Sequence, residues 1–153
     1  MGGCDLQLET MVSSEIDDIT MAVGILITTT PSRIPLVKRV SPGTHINAIG
    51  ADAAGKQEIH PAILKQAKIV VDDWRQASHS GEINVPIRQR LLVKNDIFAE
   101  LGEIAVGEKE GRTSAGEITV FDATGLAVQD VACAHAAYKA LKDAPGIQKI
   151  RLF

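Results

Sequence analysis

Four short apolar runs most constrain how this chain can fold. They are Val23-Gly-Ile-Leu-Ile27, His45-Ile-Asn-Ala-Ile49, Lys68-Ile-Val-Val-Asp72 and Glu117-Ile-Thr-Val-Phe121. Apolar runs without strict alternation belong to strands covered on both faces, as in parallel sheets. The segments between them carry helical spacing instead. His60-Pro-Ala-Ile-Leu-Lys-Gln-Ala67 sets Pro61 at a first helical position, where its missing amide costs nothing. Strand alternating with helix favours an α/β sheet over a sandwich. The predicted strands are 23–28, 45–49, 68–72 and 118–121, with helices near 61–67 and 125–143.

Other segments are read more coarsely. Ser13-Ser14-Glu15 starts a brief helix, and Ile34 to Val40 is an extended piece. Pro42-Gly43 makes a type II turn into the strand at His45. Trp74 to Glu82 is a helix or an irregular segment, and Asp96 to Val106 is a helix interrupted near Gly102. In the longest helix Ala127, Val131, Ala134, Tyr138 and Leu141 form an apolar stripe, read as core, with Cys133 a small core residue. Ile147 to Phe153 reads as a terminal strand.

Composition removes several classes of function. A formal charge of -3 gives no electrostatic footing for nucleic acid or an anionic membrane. The densest basic cluster, Arg88, Arg90 and Lys94, is followed by Asp96 and Glu100 and reads as a solvated face. The histidines at 45, 60, 79 and 135 and the two cysteines lack metal-ligand spacing, so no metal site is expected. No apolar run reaches membrane-spanning length and no leader is apparent, so a cytoplasmic chain is expected.

Chemistry concentrates after the second strand, where Asn47, Asp52, Lys56 and Glu58 lie in one polar loop. Ligands of open α/β sheets sit beyond the carboxyl ends of the strands. Asp52 and Lys56 flank a turn that Gly55 can tighten. A carboxylate beside an ammonium can be held charged and can exchange a proton with a substrate. The plainer reading is a solvated loop with Asp52 as a turn cap. Glu58 reads as a helix-start or salt-bridge residue.

Four blocks carry a resemblance to a known family. They are Ile27-Thr-Thr-Thr-Pro-Ser-Arg33; Gly43-Thr-His-Ile-Asn-Ala-Ile-Gly-Ala-Asp52 with Gly55-Lys-Gln-Glu58; Gln76-Ala-Ser-His-Ser-Gly-Glu-Ile-Asn-Val-Pro86; and Glu117-Ile-Thr-Val-Phe-Asp-Ala-Thr-Gly-Leu-Ala-Val-Gln-Asp130. In this order and spacing they resemble the carboxyl-terminal half of the ornithine cyclodeaminase/mu-crystallin family, its archaeal alanine dehydrogenase branch above all. The likeness runs from about residue 20 to the end. It implies a partial Rossmann-like, mainly parallel sheet flanked by helices, with the amino-terminal half of the family fold absent through truncation or a split gene. The implied division is a poorly defined segment 1–20, a partial dinucleotide-binding domain 21–130, and a returning helix and strand 131–153 of the substrate and dimer domain.

The resemblance also implies roles. Asp52 would exchange a proton near the substrate amino group, accompanied by Lys56. Thr30, the segment Ile46, Asn47, Ala48 and Ile49, and Thr124 would line an NAD cofactor, and the amides after Asp122 would face an anionic ligand. Ala123 stands where family members commonly have Ser, and Gly24 where an acidic residue is usual. No Gly-x-Gly-x-x-Gly unit is present. The implied function is an NAD-dependent amino-acid oxidoreductase of alanine dehydrogenase or ornithine cyclodeaminase type, inactive alone. The alternative is a non-catalytic structural or binding subunit that pairs with itself or with a complementary amino-terminal fragment. The sequence separates neither alanine from ornithine nor NAD from NADP.

Overall fold

The four apolar runs and one further segment form a wholly parallel sheet in a computed structural model, which describes residues 10–146. The strands are β1 (Ile25–Thr28), β2 (His45–Ala48), β3 (Lys68–Val71), β4 (Ile97–Glu100) and β5 (Thr119–Asp122). Their spatial order is β1-β2-β5-β3-β4. The helices are α1 (Ile16–Ala22), α2 (Pro61–Leu64), α3 (Trp74–Ser80), α4 (Asn84–Arg88), α5 (Leu101–Ala105) and α6 (Ala127–Leu141). Pro61 does open α2, and Gly43, at φ +84°, makes the turn before β2, with the Thr44 amide donating to the Ser41 carbonyl.

Register explains the core. Leu26, Ile46, Val120 and Ile69 lie side by side across β1, β2, β5 and β3, and all four are buried. Ile63 and Leu64 of α2, Ala77 of α3 and Ile83 close over that face. Burying each large aliphatic side chain there contributes about 1.5–3 kcal/mol. The residues just before them, Ile25, His45, Thr119 and Lys68, point to the opposite face. Over it lies a hollow of about 550 Å³ bordered by Ile25, His45, Val70, Phe121 and, from α5, Leu101 and Ile104.

Three expectations need correction. The segment 96–106 is not one helix: Ile97–Glu100 pairs in parallel with β3, and only then does α5 begin. The Glu103 carboxylate accepts from the Glu100 amide at 2.8 Å and marks that change. The run at 23–27 is covered on one face only, since Ile25 and Ile27 of edge strand β1 are exposed. Finally, α6 is a helix but not core. None of its residues is buried, Val131 and Tyr138 are 67% and 65% exposed, and Cys133 is exposed. The helix follows the end of β5, and its apolar stripe stands exposed. The expected strand 147–153 lies outside them. No helix among the described residues is long and apolar enough to cross a membrane.

Candidate functional site

Parallel strands bring all their carboxyl ends to one rim, and the candidate residues follow from there. Thr30 follows β1, Asp52 and Lys56 follow β2, and Thr124 follows β5. The rim is tied by one buried carboxylate. Glu58 accepts from the Thr30 amide at 2.6 Å and from the Gly50 amide at 3.0 Å, joining the loop after β1 to the loop after β2. It is thus no helix-start or salt-bridge residue but a fully buried acceptor of backbone hydrogens.

Asp52 and Lys56 form an ion pair. The aspartate side chain is 61% exposed while the lysine is 20% exposed, so the ammonium is anchored and the carboxylate reaches outward. The hydrogen bond from Lys56, and then its charge, hold the Asp52 carboxyl below the usual aspartate range. Asp52 therefore stands ionised at neutral pH. Gly55, at φ +84°, makes the turn between them, and the Lys56 amide closes it on the Ala53 carbonyl at 3.1 Å.

The segment 46–49 divides by parity. Asn47 and Ile49 keep exposed surface, whereas Ile46 and Ala48 are wholly buried with their side chains in the core. Any ligand contact from those two is limited to backbone. Thr124 is engaged too: its hydroxyl donates to Asp72, and the Thr124 and Gly125 amides reach Asp72 Oδ2 at 2.6 and 3.0 Å. The amides expected to face an anionic ligand are spent on this internal carboxylate instead.

A buried polar string beneath the rim escapes a reading of the sequence. Glu82 accepts from the amides of Glu58 and Ile59, and Asp122 accepts from the amides of Glu82 and Ile83. Burial pushes the Glu82 carboxyl up to about 8 and the Asp122 carboxyl up to about 7, against the pull of those amides. The available signal is weak: carboxylates set beside apolar residues, in Gly81-Glu82-Ile83 and Val120-Phe121-Asp122. No group of three His, Cys, Asp or Glu among the described residues is arranged to hold a metal ion.

The sequence model of the ornithine cyclodeaminase/mu-crystallin family matches residues 4–144, and the chain belongs to that family. The match starts well before residue 20, ahead of the motif blocks. The chain is 57% identical over 117 residues to the alanine dehydrogenase of Archaeoglobus fulgidus, covering 75% of this chain and 36% of that protein. Among solved structures, a dimeric archaeal alanine dehydrogenase with bound NAD superposes with a TM-score of 0.84 at 49% identity, covering 94% of this chain and 45% of the other. The Thermococcus litoralis Δ1-pyrroline-2-carboxylate reductase, in complex with NADH and L-proline, gives a TM-score of 0.80 at 35% identity, covering 90% and 44%. The chain thus spans less than half the length of these relatives.

Proposed function

We propose that, within this family, the chain supplies the carboxyl-terminal part of the active site of an NAD-dependent oxidoreductase acting on a small amino acid. The observation that carries the reading is the Asp52–Lys56 pair on the rim, in the loop that follows the strand carrying Asn47. A hollow of about 260 Å³ lies against α1, lined by Thr28, Thr29, Thr30, Val37 and Glu58. Thr28, one of the residues that line it, has a buried Oγ1 with no hydrogen-bond partner among the described residues. Thr29 and Thr30, which also line the hollow and keep open surface, are the polar residues that would hold the amide of a nicotinamide ring there. When bound, the cofactor supplies hydride acceptance.

The chain's own residues handle position and protons. Asp52, kept ionised by Lys56, pairs with a substrate ammonium or takes up a proton from it. Thr30 and Asn47 orient the cofactor, with Ile46, Ala48 and Ile49 lending backbone and surface, and Thr124 orders the neighbouring strand end. Residues 21–130 serve as part of the dinucleotide-binding domain, 131–153 return to the substrate and dimer domain, and a cytoplasmic location belongs to the same proposal.

No Gly-x-Gly-x-x-Gly loop is present in these 153 residues. A polypeptide of this sequence alone is therefore expected to show no turnover of alanine or ornithine with NAD. Adding a complementary amino-terminal half from an archaeal relative is expected to restore NADH formation, which Asp52→Asn then lowers by about 100-fold or more. Robust turnover by the chain alone, indifferent to Asp52→Asn, would sink the reading.

A second reading, a non-catalytic subunit that pairs with itself or with a complementary fragment, is favoured by exposure. Val128, Val131 and Tyr138 of α6 and Ile25 and Ile27 of edge strand β1 all stand open. Unpaired strand edges and apolar patches favour association. Both readings predict a dimer or larger species at micromolar concentration. Light scattering that gives a single 16.3 kDa species across that range contradicts self-association.

A further inference from the structure

We propose that Asn84 is the positioning residue that sets the Asp52–Lys56 pair. Its catalytic meaning rests on the function proposed above. Asn84 is wholly buried, yet its side-chain amide reaches across to the loop after β2. The Gly55 amide donates to Asn84 Oδ1 at 2.9 Å, and Asn84 Nδ2 donates to the Lys56 carbonyl at 2.9 Å. Nδ2 also donates to the Gly81 carbonyl within its own turn. Three of the four hydrogen-bonding positions of an asparagine amide are thereby used. Reversing the amide would set NH2 against N–H and carbonyl against carbonyl, so its orientation is dictated.

The clamp bears on the two residues whose placement decides the ion pair. Gly55 adopts φ +84°, and Lys56 must leave that turn with its ammonium directed back at Asp52. Asn84 grips the amide before Lys56 and the carbonyl after it. The turn that presents Asn84 is itself held: Asp122, at the end of β5, accepts from the Glu82 and Ile83 amides at 2.9 and 3.1 Å. Glu82 in turn accepts from the Ile59 amide at 2.7 Å. Residues 81–84 thus bridge the end of β5 to the loop carrying Asp52 and Lys56. A buried asparagine that only satisfied its own turn would need neither Gly55 nor Lys56.

The test reads geometry without turnover, so its failure leaves the proposed reaction standing, and a failed activity assay leaves the clamp standing. Carbon-detected NMR titration of the full chain follows the Asp52 carboxyl, which in the parent titrates below an ordinary aspartate. In Asn84→Ala that titration is expected to move up toward the ordinary range, while the neighbouring Val85→Ala leaves it in place. A folded Asn84→Ala with an unmoved Asp52 titration would overturn the proposal. Should Asn84→Ala not fold, the parent decides through exchange of the Gly55 amide hydrogen. Slowing by about tenfold or more relative to an unstructured glycine supports the clamp, and exchange at the unstructured rate defeats it.

Discussion

Gly50→Ala is expected to cost this chain about 3 kcal/mol or more of stability, roughly 10 °C in melting temperature for a domain of this size. A Cβ at position 50 would press into the Thr30 carbonyl oxygen, lying also 2.5 Å from the Thr30 nitrogen and 2.6 Å from Glu58 Oε2. Two of these atoms are backbone and the third belongs to a side chain buried on all sides, so none can swing aside. Relief requires the loop after β1 to part from the loop after β2, and Glu58 then loses the amides it holds. A buried carboxylate left without donors adds its own desolvation cost. The contrast is Gly102→Ala in α5, where a Cβ meets nothing within 4 Å. There alanine is expected to be neutral or to stabilise by about 0.5–1 kcal/mol through helix propensity. Thermal melts of both variants beside the parent decide the matter, and a Gly50→Ala that melts with the parent refutes the packing argument.

The same rim shows what a single sequence displays and what it hides. Strands β1, β2, β3 and β5 are legible because each lies in a short, largely apolar stretch too short for a helix. Strand β4 is hidden. Ile97, Leu101 and Ile104 fall at helical spacing, and Ile-Phe-Ala-Glu runs without a break into Leu-Gly-Glu-Ile-Ala. What makes 97–100 a strand is its pairing with β3, a non-local fact. Helix α6 is legible as a helix, but periodicity reports which side is apolar and not whether anything covers it. Val131, Cys133 and Tyr138 read as core for that reason and are exposed. In the candidate site, the Asp52–Lys56 pair is visible because its members are four residues apart. Glu82, Asn84 and Asp122 are not, since they bind atoms 23 to 40 positions away in the chain.

Those buried carboxylates give the second large effect: the folded chain is expected to lose stability as pH rises from about 5 to beyond 8. Glu82 is raised from an ordinary 4.5 to about 8 and Asp122 from 3.8 to about 7, in both cases chiefly because burial penalises the charged form. Neighbouring carboxylates add to this, Asp122 and Glu58 acting on Glu82, and Asp72 on Asp122. Neither Glu82 nor Asp122 has a cationic partner among the described residues. With folded values above unfolded ones, the folded state holds protons that the unfolded state gives up. The associated stability is complete below about pH 4 and drains away as pH climbs through 7 and 8. Each tenfold change in proton affinity is worth ~1.4 kcal/mol, so the two groups together make this a loss of several kcal/mol between pH 5 and 8.5. Asp52, Glu103 and Glu117 run the other way, since their partners lower them and their stability is lost in acid. The pairs of Asp52 and Glu103 stand open to solvent and contribute little, while the more enclosed Lys68–Glu117 pair is the one whose loss in acid counts. The balance places maximal stability on the mildly acidic side of neutrality. Urea unfolding across that pH range measures the slope directly. Glu82→Gln, which keeps a carbonyl acceptor for the Ile59 amide but cannot ionise, is expected to flatten it. A parent whose stability is level or rising from pH 5 to 8.5, or a Glu82→Gln variant with the full slope intact, would show that these carboxylates are not the protons at issue.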